Sequence, residues 1–212
     1  MTCIKRTVWI ILLAMFGAGS VMAVEEAKYT VLLKEKNFEV REYESHILAE
    51  TIVDGDFDNA GSKAFSRLFK YISGNNQSRQ KIEMTIPVAH QGAESEKIDM
   101  TSPVGQQAAG ESWAVSFMMP ASYSLETLPK PKDPKVTLRQ VPARHIAAIQ
   151  YSGFWSKKGY MRNRDKLEVW TKKNRLSVTG EPIWARYNPP FMPWFLRRNE
   201  ILVPISHPSD NE

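Results

Sequence analysis

The chain opens on a pattern found nowhere else along it. Lys5 and Arg6 precede an uncharged apolar run from Val8 to Gly19, and Val21-Met22-Ala23 then sets small or aliphatic residues before Val24. A positive start, an apolar middle and a small-residue cleavage site predict a signal peptide over 1–23. The alternative, an uncleaved anchor, fits less well, because the run falls short of the roughly 20 residues that cross a hydrocarbon core. Beyond it, Phe38–Val53 reads as extended structure with a bend near Glu44-Ser45. The period then changes. Phe57, Ala60, Ala64, Phe65, Leu68, Phe69 and Ile72 fall at helical spacing, with Asp56 or Asp58 as cap and Gly74 as stop.

Strands are expected at Gln80–Gln91, Lys97–Val104, Trp113–Pro120, Lys135–Val141 and Arg144–Tyr151. A basic helix over Lys157–Asn174 places Tyr160, Leu167 and Trp170 on one side, and strands follow at Pro182–Tyr187 and Glu200–Ile205. Hairpins outnumber crossovers, which predicts an α+β fold on a largely antiparallel sheet, built as two strand–helix–strand–strand halves. Leu128–Pro134 is too short for a domain linker, so 24–212 reads as one domain.

Composition narrows the chemistry. Removing 23 of 212 residues leaves 189, and the loss of Lys5 and Arg6 lowers the formal charge from +5 to +3. That mild excess does not call for nucleic acid, and Lys157, Lys158, Arg162, Arg164 and Lys166 read as a solvated helix face. The single cysteine, Cys3, lies in the leader rather than at the cleavage site. The mature domain therefore has no disulfide, thiolate metal site, cysteine nucleophile or covalently attached haem. There is no G-x-S-x-G, no H-E-x-x-H and no phosphate-gripping glycine loop, so no catalytic residue is assigned. Asn76-Gln77-Ser78 is a glycosylation sequon in a eukaryotic setting. Pro189–Leu196 is an apolar, proline-stiffened loop that reads equally as a lid over the core or as a surface for a ligand or protein partner.

Lys81–Val88 (KIEMTIPV) recurs as Lys97–Val104 (KIDMTSPV). Alternation alone makes these half-buried strands, with Ile82, Met84, Ile86, Ile98 and Met100 inward and each proline at a bulge or edge. The twin octets resemble the SOUL haem-binding protein family. Glu39–Tyr43, Ala64–Asn76, Arg186–Pro190 and Arg197–Glu200 agree with it in order, so the resemblance spans about residues 28–206. It implies a distorted antiparallel β-barrel flanked by two helices, and noncovalent haem b or another porphyrin bound on an apolar patch beside the first helix.

On this sequence the patch falls on Phe65, Leu68, Phe69 and Ile72, although the same stripe also serves to cover a sheet. Lys70 matches a basic position that can pair with a haem propionate, while the other such position falls on Ser62 beside Lys63. A loop lysine of some relatives falls near Met192, and the histidine of the member that named the family is Glu42 here. Axial candidates are then His46, expected on the same strand face as Glu42, and Met192; iron also accepts Met or Tyr. His90 and His207 read as solvated. The expected protein is an exported monomer, periplasmic in a bacterium and secreted otherwise, that binds haem or a tetrapyrrole for buffering, transport or scavenging. The alternatives are an enzyme on an apolar substrate, using Glu42, Tyr43 or His46, and an interaction protein acting through Pro189–Leu196. Mass spectrometry of the exported protein should find Val24 as its first residue; an intact Met1 on membrane-bound protein would show an anchor instead.

Overall fold

The first helix, α1 (Phe57–Ile72), begins where Asp56 caps it: the Asn59 backbone N–H donates to the Asp56 carboxylate at 2.8 Å. It ends two residues before Gly74, whose φ of +111° is a conformation that residues bearing a Cβ rarely adopt. The second helix, α2 (Lys157–Lys173), is capped by the Ser156 hydroxyl, which accepts from the Gly159 N–H at 3.1 Å. Tyr160, Leu167 and Trp170 are buried on one side, as their spacing requires. The computed structural model describes residues 24–79 and 95–206. The first octet, Lys81–Val88, lies outside the described residues, as do the leader, the Gln80–Gln91 strand, His90 and His207.

Nine strands form one antiparallel sheet. They are β1 (Tyr29–Glu35), β2 (Phe38–Tyr43), β3 (His46–Val53), β5 (Val104–Ala109), β6 (Ser112–Met118), β8 (Thr137–Val141), β9 (Arg144–Tyr151), β10 (Ile183–Arg186) and β11 (Asn199–Ile205). Two short strands, β4 (Asn76–Gln77) and β7 (Lys130–Pro131), pair separately. The sheet order β1-β2-β9-β11-β10-β5-β6-β3-β8 has an internal symmetry. Exchanging β2 with β8, β3 with β9, β5 with β10 and β6 with β11 reverses the order of all but β1. The expected pseudo-twofold is therefore present, with its axis between β5 and β10. Each half also lends its first strand to the other, since β2 pairs with β9 and β8 with β3.

Alternation sorts the side chains into two layers. Ala49, Val53, Val115 and Phe117 pack under α1, and Val40, Ala147, Ile149, Ile201 and Val203 pack with α2. The opposite face carries Tyr43, Ile146, Ala148, Ala185 and Leu202. Residues of β3 and β9 meet across a cleft on that face, so the sheet is curled into a half-barrel with helices on its convex side. Its edge strands, β1 and β8, do not pair with each other. This is the α+β architecture of a distorted barrel flanked by two helices.

The concave face holds a buried ion pair. Arg41 of β2 is 1% exposed and Glu200 of β11 is fully buried, and they meet in two parallel hydrogen bonds of 2.7 and 3.0 Å across β9. The Arg198 guanidinium and the Tyr187 hydroxyl also donate to Glu200, and Arg198 reaches back to Glu26.

Several expectations change. Lys97–Val104 is not a strand: after the short bridge of Ser102 to Glu26, the ladder begins only at Val104. Ile98 is buried as alternation requires, but Met100 is exposed. The Thr101 hydroxyl turns inward to donate to the Met118 carbonyl, which ties the segment to β6 through a side chain rather than a ladder. The sequon is closed as well. Asn76 is buried and donates to the Tyr71 and Glu96 carbonyls, so no glycan can reach it. Among the described residues no helix is long and apolar enough to cross a membrane.

Burial alone would raise the Glu200 carboxyl, but the Arg41 hydrogen bonds and the Arg41 and Arg198 charges hold it below its ordinary 4.5. The pair's contribution to stability is therefore complete above about pH 4.5 and is lost as the pH falls through the lower folded value. Glu200→Gln removes the buried counter-charge of Arg41 and leaves it only the Glu39 carboxylate at 2.7 Å, so it should cost about 1.5–3 kcal/mol in urea unfolding at neutral pH, the range for hydrogen bonds to charged groups. The deficit should shrink in acid, where the wild-type carboxylate is protonated too; an unchanged urea midpoint at pH 7 would show that the pair is not needed.

Candidate ligand-binding surface

The first helix divides the residues expected to form an apolar patch. Leu68 is 0% exposed and Ile72 is buried, both between α1 and the sheet, so neither reaches the surface. Phe65 is half-buried and meets Phe117 edge-on at 5.3 Å. Phe69 stacks on Phe65 at 5.9 Å and is 46% exposed. Lys63 and Lys70 are exposed on the same helix. What α1 shows to solvent is thus a Phe65–Phe69 stack with two lysines, narrower than the sequence stripe.

A second aromatic surface comes from the loops around Gly153 and Trp194. Phe154 stacks on Trp194 at 5.2 Å, and Trp194 meets Phe195 edge-on at 5.5 Å. Phe191 is 85% exposed, and Phe154, Trp194, Phe195 and Leu196 are exposed beside it. Pro189–Leu196 is therefore not a lid over the core. Its shape is held by the backbone: the Gly153 N–H donates to the Trp194 carbonyl at 3.0 Å, with Gly153 at φ +139°. The Arg197 guanidinium donates to the Met192 and Pro190 carbonyls at 2.8 and 2.7 Å. Met192 is half-buried within this loop.

Trp155 and Arg186 connect the loop to α1. The Trp155 indole N–H donates to Asn199 at 2.9 Å, which fixes the ring. The Arg186 and Arg197 guanidinium carbons lie 5.5 and 4.6 Å from that ring's centre. Arg186 also lies over Trp184 at 4.8 Å and runs against Gly61 of α1. A Cβ at Gly61 would sit 3.1 Å from the Gln106 side-chain oxygen and 3.3 Å from both terminal nitrogens of Arg186. This close approach accounts for a glycine inside a helix, where it is otherwise destabilising.

His46 lies elsewhere. It lines the concave cleft with Tyr43, Leu48, Met118, Arg144 and Ile146, on the face opposite the helices. It was expected on the same face as Glu42, but Glu42 alternates with Val40, which packs towards α2, and the chain leaves the ladder at Glu44-Ser45. That two-residue turn resets the alternation and places His46 with Tyr43. Burial lowers the His46 pKa, the Glu44 carbonyl opposes this, and Arg144 and Arg139 lower it further, so the ring is neutral at pH 7. Tyr43 is pushed up to about 12, chiefly by burial. Phe65, Phe69, Lys63 and Lys70 therefore share one helix, Met192 belongs to the loop surface, and His46 belongs to a separate cleft. The residues that sequence reasoning missed are Trp155, Gly61 and the placement of Arg186 against both. Only the unexplained glycine inside a helical stripe could have signalled them.

This is a curled-sheet α+β domain with its helices on the convex side and an exposed aromatic surface beside them. The chain belongs to the SOUL heme-binding protein family, whose pattern matches residues 24–204. It is 27% identical over 165 residues to Heme-binding protein 1 of Xenopus tropicalis, covering 77% of this chain and 81% of that protein. It is 22% identical over 151 residues to Heme-binding protein 1 of Mus musculus, covering 71% and 74%. Among solved structures, the EcmrR C-terminal domain is similar with a TM-score of 0.52 at 11% identity, covering 84% of this chain and 98% of that one. A hydrolase from Listeria innocua is similar with a TM-score of 0.52 at 14% identity, covering 82% and 94%. These two likenesses show the fold alone.

Leu68→Ala should lower stability by about 2–5 kcal/mol in urea unfolding, since it empties a closed site under α1. Phe69→Ala should cost less than about 1 kcal/mol, as an exposed position does. Equal losses would place Phe69 in the core.

Proposed function

We propose that this protein is an extracytoplasmic binder of haem b or a related tetrapyrrole, held noncovalently, that buffers, transports or scavenges it rather than acting on it. The observation that carries the reading is the exposed aromatic surface of Phe154, Phe191, Trp194 and Phe195, next to the Arg197 guanidinium on Trp155. Aromatic groups left in water in one patch mark a ligand surface, and their flat faces suit a macrocycle. The names of the relatives, Heme-binding protein 1, point the same way.

The residues present fit such a group without an iron ligand. Covering several hundred Å² of macrocycle at ~25 cal/mol per Å² is worth on the order of 10 kcal/mol gross. Association and ordering remove several of these, which leaves micromolar binding. The stiff prolines at 189, 190 and 193 limit the entropy lost on docking. Tyr43 and His46 sit in the concave cleft while Glu42 faces the other layer, so the three groups named for an enzyme do not converge.

Titrating the mature protein with hemin should give a saturable Soret shift with micromolar midpoint. Trp194→Ala should weaken it about tenfold, as loss of a central aromatic contact does. His46→Ala should leave it within about twofold, because that side chain is on the other face. No saturable shift up to tens of micromolar, the range the burial arithmetic allows, would overturn the reading.

A further inference from the structure

Arg41 is buried and Arg186 is half-buried, but of the two only Arg41 meets a carboxylate among the described residues. Arg41 meets Glu200 in two hydrogen bonds, whereas no carboxylate among the described residues pairs with Arg186. Its one hydrogen bond is long, 3.4 Å from Nη2 to the Gln106 side-chain oxygen. Its Nε is sealed from solvent with no partner. A guanidinium carries five N–H donors in a fixed fork, so most of its capacity is unused. Nearby, the Trp184 indole N–H and the Tyr151 hydroxyl are sealed from solvent and turned to each other, the indole acting on the hydroxyl as a hydrogen-bond donor.

Burial pushes the Arg186 pKa down to about 10, which still leaves the group charged at neutral pH. A half-buried charge without a carboxylate partner costs stability until one is supplied. The walls of the slot are Gly61 of α1, the Trp155 and Trp184 rings and Gln106 of β5, all of them neutral. Arg197, on the same Trp155 ring, adds a second positive charge at the loop end. Its donors are turned to backbone carbonyls, so it contributes field rather than a fork. The exposed aromatic surface of the loop begins next to this slot.

We propose that the slot between Gly61 and Trp155 is a carboxylate-binding subsite, in which Arg186 takes an acid group of the planar ligand as its missing counter-ion. This rests on the tetrapyrrole reading and goes beyond it. The ligand class becomes a planar apolar carboxylate, and its anchor is the half-buried Arg186 rather than Lys63 or Lys70 on the outer helix surface. Arg suits the task better than Lys, because its planar fork matches both oxygens of a carboxylate.

The test compares hemin with its dimethyl ester, which keeps the iron and the macrocycle but removes both acid groups. Wild type should bind hemin more tightly than the ester. Arg186→Gln should weaken hemin about 10- to 100-fold, the range for losing a charged hydrogen bond, and leave the ester within about twofold. The melting temperature of the ligand-free variant should stay equal or rise, since a half-buried charge without a carboxylate partner is removed. Equal binding of hemin and ester by wild type, or unchanged hemin binding by Arg186→Gln, would overturn the subsite while the haem reading stands. A lower melting temperature with both ligands weakened alike would make Arg186 structural and also overturn it. Failure of wild type to bind either ligand would overturn the haem reading itself.

Discussion

The Arg41–Glu200 pair sets the shape on which the remaining features depend. The two side chains belong to strands separated by β9, so their double hydrogen bond spans the concave face and fixes how the sheet curls there. Arg198, Tyr187 and Glu26 complete the cluster and draw the start of the domain onto its last strand. Removing either charge leaves the other with its remaining partner alone, Glu39 for Arg41 and Arg198 for Glu200. The pair explains why Glu39–Tyr43 and Arg197–Glu200 carry the family resemblance although more than 150 residues separate them. They are two sides of one contact.

With the concave face tied together in this way, the two halves can exchange their first strands and leave the convex face to the helices. Neither helix covers all of it. Between α1 and the segment before α2 the floor is Trp184, Gln106 and Arg186, and the rim is Trp155 and Gly61. The same residue type serves opposite ends on the two faces. Arg41 is neutralised and holds strands together, while Arg186 meets no carboxylate among the described residues.

Much of the fold was legible from pattern alone. Arg144–Tyr151 matches its strand to the residue, and both helices lie within a residue of their expected ends, because long amphipathic periods and capping residues are local properties. Other elements were not. β1 lacks the alternation that marks a half-buried strand, and β5, with the sequence VGQQAA, has little strand preference of its own; it is a strand because β6 and β10 flank it. Lys97–Val104 shows the reverse, an alternating octet that stays out of the ladder except at its last residue.

The site divides along the same line. By itself, the amino-acid sequence determined the class of fold, the apolar stripe of α1, the aromatic loop and the family resemblance, since each is carried by residues close together in the chain. The tertiary structure decided which of those residues reach solvent. It buried Leu68 and Ile72, left Phe69 and Phe191 exposed, and sent His46 to the opposite face through a two-residue turn that resets the alternation. It also brought Gly61, Trp155 and Arg186 together from distant parts of the chain. Whether a charge has a counter-ion depends on the folded neighbourhood, and no local pattern records it.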